Sequence, residues 1–361
     1  MGFTVLAINP GSTSTKCAIY RESQEVWKKS VSHRSEDLAR FRKVLDQLEY
    51  RSTAVREGLS ESGVPQTEIS AVVGRGGLLK PLPGGVYEVN QKMKADLLAE
   101  KYGRHASNLG ALIADSLAAE MGVPAFIVDP VVVDELEDIA RLSGIPGIPR
   151  RSIFHALNQK AIARRACASL RKKYAEATLA VAHMGGGTSI GLHVNGRVVD
   201  VNNALDGDGP FSIERAGTVP AGDWMRWVLS HQHDPQALQL MLTGQGGLVA
   251  YLGTNDFTAI EKSALGEGTL DRQQCNTLVR SLCYQISKSI CGLAAFTGGA
   301  LDAVVLTGGL AFSRRVVEEI TPRVSFLAPV LVFPGENELE ALALGAQEVL
   351  RGETAPRTYE G

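Results

Sequence analysis

The chain has 361 residues, 44% of them hydrophobic and 21% charged, with a formal net charge of −2. That length suits two domains, and the composition is that of a folded globular protein, neither disordered nor fibrous. The small net charge gives no reason to expect nucleic acid or an anionic membrane as partner, and no apolar run approaches the roughly 20 residues that span a bilayer.

The chain opens on an apolar strand, a Gly/Ser/Thr turn and a return strand, residues 4–20, with no basic segment ahead of it. It reads as a first hairpin and not as a signal peptide. Residues 36–62 carry Leu38, Phe41, Val44, Leu45 and Leu48 at helical spacing. Residues 69–73 read as a strand that ends in Gly74-Arg75-Gly76-Gly77, and the Pro- and Gly-rich stretch 78–87 reads as a loop. Residues 90–121 are mostly helical with a break near Gly103, and 124–128 is a strand running into Asp129-Pro130. A proline-rich hinge, 142–152, puts the domain boundary near residue 152. After a helix over 154–173, residues 178–194 repeat the opening hairpin, with His183 ahead of Gly185-Gly186-Gly187. Residues 272–296 form the longest helix candidate, and 301–312 give a third strand ending in Thr307-Gly308-Gly309. Residues 338–351 are an amphipathic helix, and only the tail past Gly352 reads as loose. Cys17, Cys167, Cys275, Cys283 and Cys291 form no C-x-x-C pair and read as buried, reduced thiols, so a cytoplasmic location is expected.

Small, hydroxyl-rich turns let backbone N–H groups point at phosphates. Two such turns would clamp a nucleotide, which suggests a phosphotransferase. A P-loop is excluded: Gly11-Ser-Thr-Ser-Thr-Lys16 lacks the second glycine and leads into a strand where a P-loop opens a helix. A dinucleotide fingerprint fails likewise, because Gly185-Gly186-Gly187 has no third glycine at the required offset. Duplicated strand–turn–strand hairpins are instead similar to the superfamily of acetate kinase, actin, Hsp70 and the sugar kinases.

Within it the chain resembles the acetate and butyrate kinase family, most closely its butyrate branch. The resemblance is carried by Asn9 to Lys16, Val73 to Pro81, His105 to Gly110, Asp129 to Glu135, Ser143 to Asn158, His183 to Ser189, Asp206 to Ser212 and Pro334-Gly335-Glu336. It implies α/β architecture: two duplicated actin-like, ribonuclease H-like domains with an interdomain cleft. The first domain would be 1–152, joined by the C-terminal helix 338–361, and the second 153–337. It implies ATP-dependent phosphorylation of butyrate with Mg²⁺, in a homodimer or higher homo-oligomer. Ile213 and Ala216 stand where the butyrate branch more often has Pro and Ser, which bears on substrate fit. A sibling kinase of isobutyrate, propionate or acetate, and a non-enzymatic nucleotide-dependent binding module, are the alternatives.

A short-chain fatty acid has a pKa of about 4–5 and is already an anionic nucleophile at neutral pH. No general base is needed; charge neutralisation and positioning are. Arg75 suits a bidentate hold on the carboxylate or the phosphoryl group, and Arg215 suits transition-state charge. For His155 the resemblance implies a hydrogen bond to the phosphoryl in flight, and His183 is placed for a γ-phosphate contact. Asn9, Ser12, Ser14 and Lys16 suit phosphate oxygens and metal-bound water, although Lys16 could equally point outward. Asp129 and Glu336, or Glu338 two residues on, suit Mg²⁺, with Asn9 completing the metal set. The Gly308-Gly309 turn is expected near the adenosine, and Asp256 matches a family position near base and ribose. Thr258 stands where the acetate branch often has arginine. His33, His193, His231 and His233 read as solvated or structural.

Overall fold

The structure, a computed structural model, describes residues 2–231 and 234–361; His233 lies outside them. The chain divides into two compact units. The first comprises Met1–Asp134, Ala156–Asn158 and Asn337–Gly361, and the second Glu135–His155 and Gln159–Glu336. Composition placed the change of unit near 152. The hinge instead groups with the second unit, because Glu137 N–H donates to Val199 (2.9 Å) and Arg150 pairs with Asp200 (2.8 Å).

The first unit is built on six strands: β1 (Thr4–Pro10), β2 (Ser14–Arg21), β3 (Gln24–Ser32), β4 (Ile69–Arg75), β5 (Val86–Glu88) and β6 (Ala125–Val128). Their order is β3-β2-β1-β4-β6-β5. β1 runs antiparallel to β2 and parallel to β4, which is parallel to β6. Every residue of β1 is buried, as expected for a strand flanked by helices on both faces. The helices Asn108–Met121 and Glu338–Leu350 both pack on it. Buried Gln347 of the latter donates to Glu22 O (2.9 Å) and Phe3 O (3.3 Å).

Two expectations are corrected here. Residues 36–62 are not one helix: Ser35–Leu38, Val44–Gln47 and Leu48–Glu61 are separate pieces. The tail past Gly352 is not loose. Arg357 pairs with β5 through Arg357 N–H to Val86 O (2.8 Å) and Glu88 N–H to Arg357 O (3.2 Å). Tyr359 is 4% exposed and donates to Asp96 Oδ2 (2.9 Å).

The second unit repeats the plan with β7 (Thr178–Met184), β8 (Thr188–Val194), β9 (Arg197–Val201), β10 (Ala303–Gly308) and β11 (Val330–Pro334), ordered β11-β10-β7-β8-β9. β7 is antiparallel to β8 and parallel to β10, just as β1 is to β2 and β4. From Thr4 to Thr178 the offset is 174 residues, so Asn9 and His183 hold equivalent sites at their sheet ends. The glycine turn after β10 is therefore the counterpart of Gly74-Arg75-Gly76-Gly77 after β4. The long helix Arg272–Leu293 buries Leu278, Leu282, Ile286 and Ile290 in this unit's core. Its apolar stripe is core, so it lends no support to a homodimer. All five thiols are raised above their usual range by burial, Cys17 and Cys283 to about 12. Among the described residues no helix is long and apolar enough to cross a membrane.

Candidate active site

In the first unit, Asn9, the next-to-last residue of β1, and Arg75, the last of β4, stand on neighbouring parallel strands. Glu338, at the start of the C-terminal helix, completes the cluster. Its Oε2 accepts from Arg75 Nη1 (3.1 Å) and Asn9 Nδ2 (2.5 Å), and Arg75 Nη1 also reaches Asn9 Oδ1 (3.4 Å). Asp129 follows β6, is 1% exposed, and has φ of 37°. A buried non-glycine residue with left-handed backbone is strained, and such strain gathers at functional sites. Gly85 holds it: Asp129 N–H donates to Gly85 O (3.0 Å), and Gly85 N–H donates to Asp129 Oδ1 (2.7 Å).

The first glycine turn is braced by a residue that sequence reading missed. Arg51, 1% exposed, donates from Nη1 to Gly11 O (2.9 Å), Ser14 O (3.1 Å) and Thr15 Oγ1 (3.0 Å), and from Nη2 to Ser12 O (3.1 Å). Gln47 Oε1 accepts from its Nε (2.9 Å). Burial pushes its pKa down, so the turn carbonyls stabilise a cation that lost its water. Ser12 and Lys16 are exposed and Ser14 half-buried. Lys16 lies on the outward face of β2, between buried Thr15 and Cys17. Arg51→Lys keeps the charge but not the planar fork. It should lower unfolding stability by about 2–4 kcal/mol, since each lost charged hydrogen bond is worth about 1.5–3 kcal/mol. Urea unfolding measures this, and an unchanged midpoint would show that the brace is dispensable.

In the second unit, sheet register gathers the histidines. His183, next to the end of β7, lies between Thr307 of β10 and Ser189 of β8. Its ring stacks on His155, with centroids 3.9 Å apart and planes at 15°. His183 Nε2 lies 2.9 Å from Glu336 Oε1. Glu336 and Glu338 thus separate: the first belongs to the His183 cluster, the second to the Asn9–Arg75 cluster.

Arg215 lies against the second glycine turn. A Cβ on Gly187 would come within 2.2 Å of its Nη1, so any larger residue there would force the guanidinium to move. Its Nη1 donates to Ala204 O, while its buried Nε–H has no acceptor among the described residues. Burial pushes its pKa down, opposed by the charge of Glu214. Thr188 Oγ1 is buried and unpartnered nearby in sequence, at the start of β8.

A cavity of about 460 Å³ opens beside this turn, lined by Gly185, Gly186, Phe257, Thr258, Glu261, Gly309, Leu310, Phe312, Ser313 and Glu336 among others. That volume falls in the range of small-molecule sites. Gly309 has open space around it, whereas Gly308 (φ 87°) is needed for packing: a Cβ there would meet Met184 O at 2.4 Å. Asp256 does not line the cavity. It caps the helix Phe257–Leu265, its side chain accepting from Ala259 N–H (3.0 Å). Phe257, Glu261 and Phe312 were missed by sequence reading: the first two lie on an ordinary helix, the third is exposed after the glycine turn, and none of them sits in a motif. Among the described residues no group of three or more His, Cys, Asp or Glu gathers as a metal cage.

Two sheets of one order, each ending in a glycine turn, define a duplicated actin-like α/β protein. Solved structures share that fold. The acetate kinase of Porphyromonas gingivalis superposes with a TM-score of 0.78 at 18% identity, covering 96% of this chain and 100% of that one. A propionate kinase from Francisella tularensis gives 0.70 at 18%, covering 95% and 98%. The profile of the Acetokinase family matches residues 127–333. Butyrate kinase 1 of Clostridium acetobutylicum is 47% identical over 358 residues, 99% of this chain and 100% of the relative. The chain belongs to the Acetokinase family.

Proposed function

We propose that the protein transfers the γ-phosphoryl group of ATP reversibly to butyrate, giving butyryl phosphate and ADP. The observation that carries this reading is the end-to-end match to a relative named butyrate kinase. The site chemistry agrees with it. A carboxylate acceptor needs no base, and the two clusters supply cations and neutral donors instead. Arg75 offsets the repulsion between carboxylate and triphosphate, and Arg215 meets the charge that develops on the phosphoryl oxygens. The cavity beside Gly186 and Gly309 takes the nucleotide, with the exposed ring of Phe312 offered to the base. Asp256 caps the helix Phe257–Leu265 beside it.

Mg²⁺ fits the donor types present. Asn9, Asp129 and Glu338 offer hard oxygen atoms, and Mg²⁺ commonly takes one or two carboxylates with phosphates and water. Glu338 replaces Glu336 in this set, because it meets Asn9 directly. When bound, the ion would neutralise phosphate charge.

Trapping with hydroxylamine tests the reaction. ATP, Mg²⁺ and butyrate should give butyryl hydroxamate together with stoichiometric ADP. ATP binding without hydroxamate would favour a nucleotide-dependent binding module instead. Rates across C2 to C5 acids settle the acceptor, since one methylene is worth about 1–3 kcal/mol in an apolar pocket. A maximum at acetate or propionate would overturn the choice of butyrate.

A further inference from the structure

His193 is a buried histidine that the reaction does not use. It is fully buried in β8, as is Ser189. Between Tyr174 and His155 runs an unbroken chain of side-chain hydrogen bonds. Tyr174 Oη meets His193 Nδ1 (2.8 Å), and His193 Nε2 meets Gln159 Oε1 (3.0 Å). Gln159 Nε2 meets Ser189 O (3.0 Å) and Ser189 Oγ (2.7 Å). Ser189 Oγ meets His155 Nδ1 (2.9 Å). Gly191 makes room for the amide: a Cβ there would lie 2.5 Å from Gln159 Oε1.

The direction of every proton in this chain is fixed by chemistry. A carbonyl oxygen only accepts, so the group facing Ser189 O must be the Gln159 NH₂, and Oε1 must face His193. His193 therefore carries a proton on Nε2. Burial, aided by the charges of Lys160 and Arg164, pushes its pKa well below the usual imidazole range, so the ring is neutral. Its bare Nδ1 accepts from the Tyr174 hydroxyl. The Ser189 hydroxyl accepts from Gln159 and from His155 N–H (3.4 Å). Both lone pairs are then engaged, and its single O–H is left to donate to His155 Nδ1. A ring nitrogen that accepts holds no proton.

We infer that Ser189, Gln159 and His193 are positioning residues that set the tautomer of His155, holding its proton on Nε2 for donation to the transferring phosphoryl group. The catalytic half of this inference rests on the proposed contact between His155 and that group.

Ring nitrogen NMR of ¹⁵N-labelled protein tests the tautomer without using activity. The His155 signals are assigned by their loss in His155→Gln. The wild-type ring should be protonated on Nε2 at neutral pH. Gln159→Glu, studied at a pH where the carboxyl is ionised, replaces the NH₂ with an oxygen that only accepts, so the Ser189 proton turns toward it and the His155 proton moves to Nδ1. With the donor removed, kcat should fall about a hundredfold while KM for both substrates holds. Ser189→Ala, which removes one atom, serves if Gln159→Glu does not fold; its His155 ring should populate both tautomers. Ser189→Thr keeps the hydroxyl and should keep the wild-type spectrum and rate. A wild-type ring protonated on Nδ1, or an Nε2–H signal unchanged in both Gln159→Glu and Ser189→Ala, would overturn the relay. A reversed tautomer with unchanged kcat would leave the relay standing and remove the His155–phosphoryl contact.

Discussion

Arg215→Ala should lower kcat by about 10²–10³-fold, the range for removing one donor from a charge-stabilising site, without lowering thermal stability. The two halves of that expectation come from one geometry. The guanidinium is held by Ala204 O and by the vacancy at Gly187, and its buried Nε–H has no acceptor among the described residues. A half-buried cation whose buried Nε–H donor is unmet is a cost to the resting fold. It becomes favourable only when an anion arrives. Removing it should therefore leave the melting temperature equal or higher, the usual exchange of stability for function at a site. Gly187→Ala should reproduce part of the kinetic loss, because the added methyl displaces the same guanidinium. Acyl hydroxamate rates and a melting curve decide the matter. A variant that melts lower but turns over normally would show Arg215 to be structural.

Arg75→Ala should lower kcat/KM for the acid by at least about a hundredfold. Arg75 stands at the end of β4 with Glu338 at 3.1 Å and Asn9 at 3.4 Å. Two opposite unit charges 4 Å apart interact by about 4 kcal/mol at an effective dielectric of 20, which is ample for the effect. Deletion also leaves the Glu338 carboxylate unopposed where further anions are expected. Arg75→Lys should recover only part of the rate, since a point charge cannot form the bidentate fork. Steady-state kinetics with varied butyrate give the answer, and near-normal kcat/KM in Arg75→Ala would remove it from the site.

Much of this was legible because the informative features are local. The paired hairpins at 4–20 and 178–194 and the Gly74–Gly77 turn announce themselves through apolar runs that stop at small residues. What stayed hidden depends on distance or register. Arg51 lies in an ordinary helix some 40 residues from the turn it braces, and nothing in its neighbours marks it. Glu336 and Glu338 are two residues apart, and only the start of the helix at Glu338 separates their surroundings. Asp256 precedes a helix, where an acidic residue serves equally as ligand or cap. Tyr359 carries no motif and is buried through contacts distant in sequence, with Lys80, Asn90 and Asp96.

The return of residues 337–361 to the first sheet has a consequence for synthesis. Leu342, Ala343, Ala346 and Gln347 are all fully buried there. Between Asp134 and Asn337 lie about 200 residues, which at roughly 5–20 residues per second take about 10–40 s to translate. Throughout that interval the leading half of the nascent chain lacks its closing helix and displays a bare apolar sheet face. It is then a natural client for holdase chaperones, whereas the trailing half is nearly contiguous in sequence and can mature as soon as it clears the ribosome.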